Sequence, residues 1–232
     1  MQTLKLTSKD FKQSDSYYKD YIGKTDVSDF DGNIEIEGGL GYTKFNSLKA
    51  KGYILAEAGS GIEAGDGIEA GSGIKAGWGI KAGSGIEAGS GIKAGWGIEA
   101  GDGIEAGWGI EAGDGIKAGW GIEAGDGIEA GEGIKAGWGI EAGDGIEAGL
   151  TITCKLTLKV AYRIFAGICH WRKNVEDTDK TVTCGKLEGH IEYGILNETG
   201  LPEQKVKEDM VEIDGKKWSK ETIKEALKNH VG

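Results

Sequence analysis

The sequence predicts a mainly β protein, a parallel β-solenoid (β-helix) of hexad repeats with a small α+β C-terminal module. Three observations predict it. The hexad Gly-Ile-(Glu/Lys)-Ala-Gly-X recurs with Ile at every sixth position from Ile62 to Ile146. Ile and the Ala two places on share parity, so an extended strand points both to one side and the charged residue between them to the other. A six-residue strand-and-corner unit cannot bury its Ile alone, so copies must wind into coils stacked about 4.8 Å apart.

Composition agrees. The 232 residues include 44 Gly and only one proline, Pro202. No Gly-X-Y triplet runs through them, which excludes collagen. A regular supply of Ile to bury argues against disorder. Charge is unevenly placed: Glu57 to Gly149 holds twelve Glu, five Asp and five Lys, a net of −12 against −11 for the whole chain. The array carries all of the acidity.

In chain order, residues 1–55 read as an N-terminal arm or cap with short strands. Phe11, Tyr17, Tyr18, Tyr21 and Phe30 follow no clean period, and Ile34-Glu35-Ile36 and Leu48-Lys49-Ala50 are short alternating pieces. Residues 56–168 are the solenoid. Its X slot accepts both Asp102 and Trp108, so it faces solvent and places Trp78, Trp96, Trp108, Trp120 and Trp138 outside. The glycines flanking X are expected to supply unusual backbone angles at the corners. Coils of two or three hexads both fit, and a glycine pair in every hexad favours the triangular, three-hexad coil.

These repeats resemble the hexapeptide-repeat left-handed β-helices. That family sets its small residue two places before the aliphatic one, whereas here Ala70 follows Ile68 by two. Its transferase sites use a histidine between subunits, and the array has none, so the resemblance implies a fold and no activity. The Ala-Gly-X-Gly pattern also looks like Gly-rich arrays of bacterial and phage proteins.

After Gly149 the glycines stop and the phase continues. Ile152-Thr153-Cys154, Leu158-Lys159-Val160 and Ile164-Phe165-Ala166 keep the six-residue count, with Cys154 and Val160 in the Ala slot. Residues 169–232 read as a small α+β capping domain. Asn174 to Lys180 is a loop, Thr181 to Cys184 and Ile191 to Leu196 are strands, and Val211-Glu212-Ile213 enters a hairpin turn at Asp214-Gly215. Ser219 is placed to cap a last helix carrying Ile223, Ala226, Leu227 and Val231.

Catalytic constellations are scarce. His170, His190 and His230 are scattered, and Cys154, Cys169 and Cys184 match no common zinc spacing. The thiols read as reduced and mostly buried. No Walker, GxSxG or HExxH motif and no nonapeptide calcium repeat occurs, so neither an enzyme nor a cofactor or metal is expected. No apolar run is long enough to span a membrane or serve as a signal peptide, which makes the cytoplasm the default location.

Two features rise above a plain scaffold. With three hexads per coil, Glu69, Glu87, Glu105, Glu123 and Glu141 stack in one column. The array would then carry about one net negative charge per 2 Å, against about 1.7 Å in duplex DNA. Five tryptophans in one designated slot are the second, with Asp102, Asp114 and Asp126 in the same slot. Together they point to a non-catalytic protein whose acidic rod occupies the basic surface of a nucleic-acid-binding protein. Such proteins resemble phage anti-restriction and anti-CRISPR inhibitors, some of which imitate DNA. Direct nucleic-acid binding is disfavoured by charge. A self-assembling homo-oligomeric solenoid and a glycan-binding module are the alternatives. Trp and Glu sharing one face would favour the binding reading, and Trp scattered over all faces would weaken it.

Overall fold

A computed structural model describes residues 1–202, 210–213 and 216–219. The chain forms two compact units, Met1–Leu201 and Pro202–Gly232. The first is a parallel β-solenoid. Strand partners lie eighteen residues apart, as in Ile74↔Ile92, Ile80↔Ile98 and Ile86↔Ile104. Each coil therefore takes three hexads, one per side of a triangle.

Each side stacks its own strands. The first runs from Ile54–Ala56 and Ile74–Ala76 up to Ile146–Ala148, with Leu55, Lys75, Lys93, Glu111, Glu129 and Glu147 pointing outward. We name it the split face, because its lysines precede its glutamates. The second runs from Ser60–Ala64 to Ile134–Ala136 and presents Glu63, Lys81, Glu99, Lys117 and Lys135. This is the alternating face. The third, from Ile68–Ala70 to Ile140–Ala142, presents Glu69, Glu87, Glu105, Glu123 and Glu141. This is the glutamate face.

The strands are only three residues long because each hexad must also turn. Pairing does not stop at the turn. At each corner the Gly N–H donates to the Ala carbonyl one coil down, and the X-slot N–H donates to the X-slot carbonyl one coil down, as in Gly119→Ala100 and Trp120→Asp102. The backbone ladder is thus nearly continuous around the coil, as a sheet with no water on its inner side requires. The Ile and Ala columns fill the interior, every array isoleucine being at most 1 % exposed. Burying each such side chain is worth about 1.5–3 kcal/mol.

The corner glycines serve a different purpose from the one the sequence suggests. From Gly65 to Gly149 none adopts a positive φ. What they provide is space. A Cβ on the glycine after each Ala would lie 1.8–2.5 Å from a backbone oxygen one coil down over most of the array, for instance 1.8 Å at Gly119 and 2.2 Å at Gly107. Glycine is required there by close stacking of one corner on the next.

The columns also run past both ends of the 56–168 stretch. Gln2–Leu6 pairs with Gly32–Ile36, which pairs with Ile54–Ala56, so residues read as an arm or cap form the first coils. Leu6, Phe11, Leu40 and Phe45 are buried there, with Phe11 edge-on to Phe45 at 5.8 Å. At the other end Thr157–Ala166 is one long strand whose halves lie over the glutamate and split faces. Cys154 and Val160 occupy the Ala slot and are buried. Thr181–Cys184 and then Ile195–Glu198 extend the alternating face. Gly194, at φ 134°, separates Ile195–Glu198 from Lys186–Tyr193, so the span read as one strand is two.

In the second unit Met210–Ile213 pairs antiparallel with Lys216–Ser219. Ser219 closes that strand. The helix expected after it lies outside the described residues.

Candidate partner-binding surface

The glutamate column is assembled by the Ile and Ala on either side of each Glu. With Ile and Ala fixed inward, the residue between them can only point out, and strict eighteen-residue coils place Glu69, Glu87, Glu105, Glu123 and Glu141 in register. Like charges repel at this spacing. The column is closed by a lysine at each end. Lys49 meets Glu69 at 2.5 Å, and Lys159 pairs with Glu141. Those hydrogen bonds, reinforced by the carboxylate charge, hold both ammonium groups above the usual lysine range. Glu87, Glu105 and Glu123 between them are exposed and form no ion pair among the described residues.

The X slots form three columns, one per corner. Trp78 and Trp96 lie between the split and alternating faces, below Asp114. Asp102, Trp120 and Trp138 lie between the alternating and glutamate faces. Trp108 and Asp126 lie between the glutamate and split faces, below Asp144. The five tryptophans therefore do not line one face. Trp78 and Trp96 stack at 4.7 Å and 8°, with Trp78 half-buried against Tyr42 at 5.8 Å. Trp120 and Trp138 stack at 5.6 Å and 13° and are both more than half exposed.

Only the second stack adjoins the glutamate column. Between them runs a groove of about 910 Å³, floored by the glycines that precede each Ile and walled by Asp102, Trp120 and Trp138 on one side and Glu105, Glu123 and Glu141 on the other. Lys159 and Glu188 line its upper end. Carboxylates facing an indole stack suit guanidinium or ammonium groups, which pair with the first and lie over the second.

Sequence reasoning found the column and the slot and missed the lower clamp. Lys159 was in phase with Glu141. Lys49 was not, because Leu48 pairs with Ile68 at an offset that is no multiple of six. The grouping of Trp120 and Trp138 with the column follows only once the coil is fixed at three hexads.

The remaining candidates do not converge. His170 and His190 are exposed, Cys154 and Cys184 are buried, and Cys169 is half-buried. His230 lies outside the described residues. Among the described residues no group of three or more His, Cys, Asp and Glu is arranged to hold a metal ion, and no helix is long and apolar enough to cross a membrane. The first unit is a parallel β-solenoid with an eighteen-residue, three-strand coil. No protein-family model, curated protein or solved structure matches the chain.

Proposed function

We propose that this is a non-catalytic binding protein whose glutamate face occupies the basic, nucleic-acid-binding surface of a partner protein in the cytoplasm, as a phage anti-defence inhibitor of the DNA-mimic, anti-CRISPR or anti-restriction kind does. One observation carries the reading: five glutamates stacked in register, of which the middle three form no ion pair within the described chain. A scaffold that needed charge only for solubility has a less costly arrangement on its own alternating face. Four aspartates in the flanking corner columns, Asp66, Asp102, Asp126 and Asp144, add to the same side. The three-hexad coil gives the denser of the two charge spacings, about one net charge per 2 Å and close to that of duplex DNA.

The tryptophans occupy all three corners, the outcome that weakens the aromatic part of the reading, which therefore rests on the carboxylates; Trp120 and Trp138 flank one edge of the glutamate face and Trp108 the other. Trp78 and Trp96, packed on Tyr42, are better explained as cover for a glycine-rich corner.

Affinity capture from bacterial lysate with the wild type and with an E87Q/E105Q/E123Q variant as bait tests the reading. Wild-type bait is expected to retain nucleic-acid-binding proteins that added duplex DNA displaces and the variant fails to hold. Capture of carbohydrate alone, or equal capture by both baits, overturns it.

A further inference from the structure

The split face has an outward pattern unlike the other two. Above Lys5 and Glu35 of the first coils it reads Leu55, Lys75, Lys93, Glu111, Glu129, Glu147 and Phe165, and Tyr193 pairs beyond Phe165. Leu55 and Phe165 bracket the five charged residues in a slot that the array otherwise fills with Glu or Lys. Between them the lysines come first and the glutamates second. We infer that this face is the interface of an antiparallel, two-fold symmetric homodimer, in which Lys75 and Lys93 of each copy face Glu147 and Glu129 of the other.

The argument is one of symmetry. Two identical faces can meet only about a two-fold axis lying in their common plane. If that axis runs along the solenoid, each level faces itself, and Lys75 meets Lys75 while Glu129 meets Glu129. If it runs across the solenoid at the level of Glu111, the order reverses. Leu55 then meets Phe165, Lys75 meets Glu147, and Lys93 meets Glu129. Only Glu111 faces its own copy, and Lys93 of the same chain, which pairs with it, is then shared between Glu111 and Glu129 of the other copy. Among the described residues Lys75, Glu129 and Glu147 form no ion pair within the chain, so their charges are free for a second copy.

The surface is shaped for such packing. A shallow, predominantly apolar groove of about 830 Å³ follows the glycine stripe beside the charged column, with Tyr53 at one end and Tyr162, 67 % exposed, at the other. The same two-fold brings Tyr53 and Leu55 of one copy against Tyr162 and Phe165 of the other. Six coil steps of about 4.8 Å by a hexad of about 20 Å cover roughly 600 Å² per copy, about 1,200 Å² in all, which is the lower bound of a standard interface. Neither other face offers this. The glutamate face meets itself as Glu on Glu in any two-fold. On the alternating face Lys44–Glu63 and Lys117–Glu99 are paired within the chain, and no apolar outward residues bracket the charges. The split-face dimer leaves both glutamate faces open, so loss of dimer and loss of partner binding are separately observable.

Sedimentation across a wide concentration series tests the interface on the full chain. The wild type is expected to show a reversible monomer–dimer equilibrium. K75E/K93E and E129K/E147K, each checked for retained β structure by circular dichroism, are each expected to weaken self-association at least about tenfold. Mixed together they are expected to form a heterodimer, because the reversed glutamates of the first then face the reversed lysines of the second. K81E/K135E on the alternating face is expected to dimerise like the wild type. A wild type that stays monomeric throughout, dimerisation that survives both reversals, or folded variants that fail to associate on mixing overturns the assignment.

Discussion

The alternating and glutamate faces share one backbone, one core and one repeat, and differ in a single outward row. On the alternating face Glu63, Lys81, Glu99 and Lys117 succeed one another, and Lys117 reaches Glu99 at 2.6 Å. On the glutamate face the same positions hold only Glu, and cations appear only at the ends, as Lys49 and Lys159. The inner slots, identical on both sides, specify the solenoid. The outer row is therefore free to differ, and one face uses that freedom in a way that costs stability.

The largest test of this division lies in the core. Ile98→Ala behind the alternating face and Ile104→Ala behind the glutamate face remove side chains that are each 1 % exposed. Both are expected to lose about 4 kcal/mol by chemical denaturation, and to lose it equally. Unequal losses break the claim that the two faces share one core. A smaller effect separates the two glycines of one corner. Gly119→Ala drives a methyl group to 1.8 Å from the Gly101 carbonyl oxygen, whereas at Gly121 the nearest atom, the Gly139 oxygen, is 3.6 Å away. Thermal melts are expected to show a loss of about 3 kcal/mol for the first. The second, which restricts the unfolded chain without a clash, is expected to stay within about 0.5 kcal/mol of wild type.

That corner also marks what the sequence could reveal. The parity of Ile and Ala, the outward X slot, the in-phase coil through Leu158 and Ile164, and the glutamate column all follow from periodicity, because a repeat that buries one residue type must place its neighbours predictably. The reason for the glycines did not follow. Crowding between Gly119 and the coil below depends on a spacing across sequence-distant corners, which no local pattern records. The first coils were hidden for a related reason. Thr43 pairs with Ile62 and Leu48 with Ile68 at offsets outside the hexad count, so their strands carried no phase. The division of the tryptophans among three corners needed the coil size first, and it leaves three of the five, Trp108, Trp120 and Trp138, at the edges of the glutamate face.

The two faces differ as well in the first coil above the glycine array. In the same inner slot this upper coil places Cys154 on the alternating face and Val160 on the glutamate face, both buried. Burial, with the neighbouring Cys184 thiol adding to it, pushes Cys154 up to about 12. A group whose pKa is raised by folding contributes stability that is complete below its unfolded value near about 8.5 and is lost as pH rises toward the folded value. Stability is therefore expected to fall by up to about 1.4 kcal/mol per pH unit above that point. Cys154→Ala, which installs the residue found at this slot throughout the array, is expected to flatten the decline. An unchanged alkaline slope removes the thiol as its source.

The smallest effects bear most directly on why the two faces differ. Glu105→Lys places a cation between Glu87 and Glu123, replacing two repulsions by two attractions, and is expected to raise stability by about 1 kcal/mol at low salt. Lys117→Glu on the alternating face breaks the pair with Glu99 and is expected to lower it by about 0.5 kcal/mol. Salt separates repulsion from other causes. Added salt screens the column, so the wild type is expected to gain stability as ionic strength rises while the Glu105→Lys protein gains less. The stabilised variant is also the one expected to lose the basic partner, since it interrupts the unpaired stretch from Glu87 to Glu123. If Glu105→Lys is more stable and binds as well as the wild type, the repulsion has no counterpart in recognition, and the glutamate face is only a less stable version of the alternating one.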